Sequence, residues 1–84
     1  MILLVSTTCS FCEDVANVDK EYKNINKFFV VEGVADVNGS AIPLAAEITE
    51  LPCLIDGSKY IFRSNTILEY LKISGEINAA TSIL

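Results

Sequence analysis

Within residues 2–25 a continuous apolar run is followed by regularly spaced apolar residues. This change of pattern limits the possible folds of the chain more than any other feature of the sequence. Ile2 to Val5 is a continuous apolar run, which is typical of a strand buried on both faces. After a polar loop, apolar side chains recur in steps of four, three, four and three: Phe11, Val15, Val18, Tyr22 and Ile25. These steps predict one face of a helix. The chain therefore begins as a strand followed by an amphipathic helix.

The same reading predicts three further strands and two further helices. We expect a strand at residues 27–34, a loop at residues 33–40 and a short helix at residues 43–48. Two strands at residues 51–55 and 59–62 and a last helix at residues 64–75 should follow. Asp56-Gly57 predicts a hairpin turn, Ser64 is expected to cap the last helix, and Gly75 is expected to end it. The order β-α-β-α-β-β-α predicts an α/β fold with a four-stranded mixed sheet and helices on both faces. Its first two strands should be parallel and its last two antiparallel.

Length and charge limit the organisation and the partners. The chain has 84 residues, which predicts one domain over residues 1–75 and a C-terminal tail over residues 76–84. Eleven acidic and six basic residues give a net charge of -5, which argues against a nucleic-acid partner. No apolar run is long enough for a membrane-spanning helix, and the first run lacks the features of a signal peptide. A cytoplasmic monomer that does not bind membranes is therefore expected.

The sequence contains three cysteines, Cys9, Cys12 and Cys53, and no histidine. The lack of histidine excludes a Cys-His nucleophile and every zinc site that needs histidine, and three sulfurs cannot complete a four-cysteine site. Two residues separate Cys9 from Cys12 at a predicted strand-to-helix junction, a spacing that favours redox chemistry. A merely structural pair and a metal or cluster site remain alternatives. Cys53 is expected to be a small buried hydrophobe.

The position of each cysteine predicts its role. Cys9 lies at the expected helix N-terminus, where backbone N–H groups and the helix dipole lower the thiol pKa. Cys12 lies one turn into the helix, where it should be more buried and less ionised. We therefore expect Cys9 to attack the substrate disulfide and Cys12 to resolve the mixed disulfide.

Three stretches of the chain resemble the glutaredoxin branch of the thioredoxin superfamily. Residues 8–12, Thr-Cys-Ser-Phe-Cys, resemble its catalytic motif. Residues 51–57, Leu-Pro-Cys-Leu-Ile-Asp-Gly, resemble the stretch that holds its cis-proline, and residues 64–68, Ser-Asn-Thr-Ile-Leu, resemble the start of its last helix. The stretch from residue 51 to 71 also resembles the glutathione-binding domain of glutathione transferases. The resemblance implies a thioredoxin-like fold of the glutaredoxin type.

The resemblance also implies an activity and a set of contacts. The chain would be a thiol–disulfide oxidoreductase that uses glutathione as cosubstrate, acts on disulfide-containing proteins and needs no metal. A cis Pro52 would leave the Leu51 backbone free to pair with an extended thiol peptide. Ser64 and Asn65 match the positions that hold the γ-glutamyl end of glutathione. Thr8 and Phe11, which belong to the catalytic motif, are the remaining expected substrate contacts.

Two other functions are consistent with the same motif. Ser10 stands where the family usually has proline, which leaves room for a [2Fe–2S] cluster. Two chains would share that cluster, each contributing Cys9 and one glutathione. Alternatively, the chain would be a thioredoxin-like carrier that delivers electrons to one protein partner.

Overall fold

A computed structural model describes residues 1–74 of the protein. The predicted helix end at Gly75, the end of the predicted domain and the predicted tail over residues 76–84 lie outside these residues. The strands and helices are, in chain order, β1 (Ile2–Val5), a 3-10 helix (Ser10–Val15), α1 (Val18–Glu21), β2 (Asn26–Val31), β3 (Val34–Val37), β4 (Ser40–Pro43), β5 (Cys53–Asp56), β6 (Lys59–Phe62) and α2 (Ser64–Ser74).

The strands form one mixed sheet in the order β4-β3-β2-β1-β5-β6. β1 and β2 are parallel, and the other neighbouring pairs are antiparallel. The predicted first strand, its parallel pairing with the second, and the hairpin of β5 and β6 are confirmed. In that hairpin Asp56 pairs with Lys59 across a two-residue loop, and Gly57 has a φ of 62°, which glycine adopts without steric cost.

The expected thioredoxin-like, glutaredoxin-type sheet of four strands with helices on both faces is wrong, because the part of the chain that the structure describes forms a sheet of six strands. The two additional strands, β3 and β4, come from residues predicted mainly as a loop. One tight turn joins β2 to β3 and another joins β3 to β4. Each has positive φ at both of its central residues, Glu32-Gly33 and Asn38-Gly39. This pattern belongs to type I′ turns, whose twist matches that of paired strands. Asn38-Gly39 was therefore a hairpin signal and not a mark of irregular loop.

Two of the three predicted helices differ from the structure, whereas the last predicted helix is present as α2 over Ser64–Ser74. The expected helix from Phe11 to Ile25 is divided into the 3-10 helix and the single turn of α1, and the break falls at Asn17, with φ -110° and ψ 9°. Asparagine and β-branched valine are weak helix formers, so packing rather than propensity shapes this segment. The expected short helix over residues 43–48 is also wrong. Pro43 instead ends the edge strand β4, a position where a missing N–H is tolerated.

The helices of residues 1–74 all cover one face of the sheet, which we call the helical face and which carries Leu3, Val5 and Leu54. The core on this face also includes residues from each helix: Cys12, Val15, Val18, Ile67 and Leu71. The opposite face carries Leu4 and Cys53, and residues of the 44–51 segment, not a helix, pack against it. The redox motif therefore lies on the helical face. No helix within residues 1–74 has the length and apolar character needed to cross a membrane.

Candidate redox site

Cys9 and Cys12 form a disulfide at the end of the loop that leaves β1, with 5.3 Å between their Cα atoms. Cys9 has an extended backbone and caps the 3-10 helix, while Cys12 lies within its first turn. The backbone N–H of Cys12 donates to Cys9 Sγ at 3.2 Å. A donor held at this distance stabilises negative charge on the Cys9 sulfur after reduction. The structure thus brings the two predicted catalytic residues together at a strand-to-helix junction.

The two sulfurs differ in their access to solvent. Cys12 is 4% exposed and belongs to the core of the helical face, whereas Cys9 is half-buried at its margin. An incoming disulfide therefore reaches Cys9 more easily than Cys12. This difference agrees with the predicted roles of Cys9 as the attacking residue and Cys12 as the resolving residue.

A cavity of about 430 Å³ lies beside the pair and collects most of the predicted substrate contacts. Its lining residues come from the 3-10 helix, the 50–52 segment and the start of α2: Phe11, Glu50, Leu51, Pro52, Arg63, Ser64, Asn65 and Thr66. Cys9 Sγ lies 3.6 Å from the Leu51 carbonyl oxygen, which places the sulfur close to this lining. The Leu51–Pro52 peptide bond is cis, as the resemblance implied.

Thr8 is the one predicted substrate contact that does not line this cavity. Its backbone N–H donates to Ser6 Oγ at 3.2 Å, and its hydroxyl lies 3.0 Å from the same oxygen. These contacts order the turn that precedes Cys9. Thr8 therefore shapes the loop, whereas Phe11, which is 68% exposed, lies open at the cavity.

The first turn of α2 differs from the expected cap. The Arg63 carbonyl accepts the first helical hydrogen bond, from Ile67 N at 2.9 Å, so Arg63 and not Ser64 caps the helix. Ser64 is 7% exposed, and its Oγ donates to Asp14 Oδ2 at 3.4 Å. The N–H groups of Ser64, Asn65 and Thr66 precede that first bond and favour an anion at the helix start.

Two charged side chains, Glu50 and Arg63, line the large cavity. Arg63 Nε lies 3.7 Å from Glu50 Oε1, and both side chains are well exposed. Such an exposed ion pair contributes little to stability and separates readily. Arg63 can therefore exchange Glu50 for a carboxylate on a ligand. Sequence reasoning missed Glu50 as a residue of the site. Only its position next to Leu51, a predicted substrate contact, could have indicated that it lines the cavity.

A second cavity of about 180 Å³ lies on the other side of the disulfide. Cys9, Cys12, Glu13, Lys27 and Phe29 contribute to its lining. Lys27 and Phe29 come from β2, whose register pairs Phe29 with the last residue of β1. Sequence reasoning missed both residues as neighbours of the cysteines. The predicted parallel pairing of β1 and β2 was the signal that could have found them.

The Lys27 ammonium contacts Ala16 and Asp19 rather than the cysteines. Its Nζ donates to the Ala16 carbonyl at 2.7 Å and lies 3.6 Å from Asp19 Oδ1. It also lies 5.7 Å from the centre of the Phe29 ring. These contacts connect the start of β2 to Ala16, between the two short helices, and to Asp19 of α1. They fix the position of Lys27 in the lining of the second cavity.

Cys53 lies apart from the redox pair. It is fully buried on the opposite face of the sheet and forms no disulfide. Burial raises the pKa of its thiol from 9.0 to about 11. Cys53 is therefore a buried apolar residue, as predicted, and not a third redox group.

Neither metal ligands nor known relatives add a further candidate function. Within residues 1–74, no three histidine, cysteine or carboxylate side chains form a group that could hold a metal ion. No protein family, no curated protein and no solved structure matches this chain.

Proposed function

We propose that the protein is a thiol–disulfide oxidoreductase of the glutaredoxin type, with glutathione as cosubstrate. The observation that carries the proposal is the pair of cysteines with unequal exposure beside an open cavity. Cys9 presents its sulfur at the margin, and Cys12 lies behind it in the core. This asymmetry is what a dithiol exchange requires, because one sulfur must meet the substrate and the other must displace it.

The exchange begins from the reduced pair. The Cys9 thiolate attacks one sulfur of a substrate disulfide, which forms a mixed disulfide and releases the other sulfur as a thiol after it takes up a proton. The Cys12 thiolate then attacks the Cys9 sulfur and releases the second substrate thiol. The substrate has gained two electrons and two protons, and the pair has become the Cys9–Cys12 disulfide.

Two glutathione molecules return the pair to the dithiol. The first attacks the Cys9–Cys12 disulfide and forms a mixed disulfide with Cys9, and the second releases oxidised glutathione. Arg63 and the N–H groups at the start of α2 support carboxylate binding in the large cavity, and its volume suits a tripeptide. The exchange suits the cytoplasm, whose thiol pool keeps such pairs reduced.

The test is the reduction of the mixed disulfide of hydroxyethanethiol and glutathione, with glutathione as the reductant. Cys9→Ser should abolish the reaction. Cys12→Ser should retain it, because a second glutathione can release the mixed disulfide on Cys9. Cys53→Ser is the matched control, and its activity should equal that of the native chain.

The outcomes distinguish the mechanisms. Loss of activity in both Cys9→Ser and Cys12→Ser would establish a dithiol route for this substrate. Full activity in Cys9→Ser would refute the proposed function. Reduction of the native chain by a thioredoxin reductase but not by glutathione would refute glutathione as the cosubstrate.

A further inference from the structure

The helical face carries exposed apolar residues beyond the helices. The strand register places Val5, Phe29, Asp36 and Ala41 in one row across β1, β2, β3 and β4. The next row along β2 pairs Val31 with Val34. Side chains at paired positions point to the same face of a sheet. We call the set Phe29, Val31, Val34 and Ala41 the apolar strip.

The helices leave this strip uncovered. The core of the helical face includes β1 and β5 residues but none of the strip. Phe29 is 48% exposed and Val31 is 67% exposed. The strip lines a shallow cavity of about 380 Å³, together with Asp36 and other residues of β3 and its turn. An exposed apolar surface of this kind typically marks a binding site.

The strip begins at the redox pair. Phe29 lines the shallow cavity and also the 180 Å³ cavity that contains Cys9 and Cys12. A chain lying along the strip would therefore extend to the two sulfurs. The proposed function assigns glutathione to the large cavity on the other side of the disulfide, which leaves the strip for a longer substrate.

The charges beside the strip are acidic. Glu13 is exposed at the redox pair, Asp36 is exposed between the strip residues Phe29 and Ala41, and Glu32 is exposed in the turn after Val31. Among the described residues that line the two cavities, Lys27 is the only base, and it is engaged with Asp19 and the Ala16 carbonyl. A partner with basic residues would complement this surface.

We propose that the apolar strip docks protein substrates in which aliphatic and basic residues flank the disulfide-bonded cysteine. The inference rests on the proposed function and names its substrate class. The Cys9 thiolate attacks one sulfur of the docked disulfide, which breaks the substrate S–S bond, and the other substrate sulfur takes up a proton. The Cys12 thiolate then attacks the Cys9 sulfur, forms the Cys9–Cys12 disulfide and releases the substrate with both of its sulfurs as thiols. Its two electrons come from the cysteine pair.

The test compares two synthetic peptides of equal length, each with one cysteine in a disulfide with glutathione. Both have the same leucine and valine residues beside the cysteine, but one carries lysines and the other glutamates. Val31→Ser should lower kcat/KM for the lysine peptide about tenfold and leave the reduction of the small hydroxyethanethiol–glutathione disulfide unchanged. Ile73→Ser is the matched control, since Ile73 is an exposed aliphatic residue on α2. It should alter neither reaction.

Two further measurements distinguish substrate docking from the redox reaction: the dependence of the rate on ionic strength, and the binding of a peptide that cannot react. Raising the ionic strength should slow the reaction of the lysine peptide but not that of the small disulfide. A lysine peptide with serine in place of cysteine cannot react but can still bind. Its binding, measured by the NMR chemical shifts of strip residues, tests the strip even if the chain shows no redox activity. Equal rates for the two peptides, or no effect of Val31→Ser on peptide binding, would overturn the inference. A native dimer that Val31→Ser separates in sedimentation would instead assign the strip to a second copy of the chain and would also overturn it.

Discussion

Ser64 Oγ donates a hydrogen bond to Asp14 Oδ2, which joins the first turn of α2 to the 3-10 helix of the redox pair across 50 residues of sequence. The bond connects two of the three segments that border the large cavity. It also places a carboxylate of the protein beside the N-terminus of α2, where the proposed function requires a carboxylate of glutathione. Asp14 therefore competes with the ligand for the same electrostatic position.

Replacing Asp14 with asparagine should improve glutathione binding. Asp14→Asn keeps an oxygen that can accept from Ser64 but removes the negative charge that repels the ligand. KM for the glutathione mixed disulfide should fall about two- to fivefold at low salt. Glu69→Gln makes the same charge change at an exposed position farther along α2 and is the control. An equal fall in both variants would show that only net charge matters.

The three cysteines should differ in their reaction with iodoacetamide after reduction. Cys9 should be modified first and Cys12 more slowly, because Cys12 lies in the core. Cys53, with a pKa of about 11, has a thiolate fraction near pH 8 of about one in a thousand, and it is fully buried. Peptide mass spectrometry should find it modified only after denaturant is added. Rapid labelling of Cys53 in the native protein would contradict its placement.

The buried thiol of Cys53 should make stability fall in alkaline solution. Its pKa is raised in the folded protein from 9.0 to about 11, so the folded state holds the proton more tightly than the unfolded state does. The stabilisation from the neutral thiol is therefore complete below pH 9 and is lost as the pH rises toward 11.

The measurement is the free energy of unfolding of the native chain and of Cys53→Ala, both with the Cys9–Cys12 disulfide intact. The difference between them should be constant up to about pH 8 and should shrink above pH 9. Other titrating groups are shared by the two proteins and cancel in the difference. A difference that stays constant to pH 11 would show that folding does not raise the pKa of the Cys53 thiol.

Two isoleucines of α2 provide a matched test of the core. Ile67 is fully buried on the helical face, whereas Ile73 is 88% exposed. Ile67→Ala should lower the free energy of unfolding by about 2–5 kcal/mol, because it removes buried methyl groups and leaves a cavity. Ile73→Ala should change it by about 0.5 kcal/mol or less. Denaturant unfolding measures both, and similar losses would contradict the orientation of α2.

The sequence by itself determined the features that depend on nearby residues. The apolar run of β1, the turn at Gly57 and the amphipathic period of α2 predicted those elements because strand, turn and helix each have a local signature. The spacing of Val15 and Val18 also predicted their burial, even though the helix around them is broken. The spacing of the two cysteines identified the redox pair, and the resemblance to glutaredoxins implied six substrate contacts. Five of those six line one cavity.

Only the tertiary structure decided what depends on distant segments. The packing of the described helices on one face leaves Phe29 and Val31 exposed, although their sequence pattern resembles that of buried strand residues. The parallel pairing of β2 with β1 brings Lys27 beside the cysteines, and the contact of Asp14 with Ser64 crosses 50 residues. Local hydrophobic periods show that a side chain prefers to be buried, but they do not show which surface covers it. That choice is made by the packing of the whole sheet.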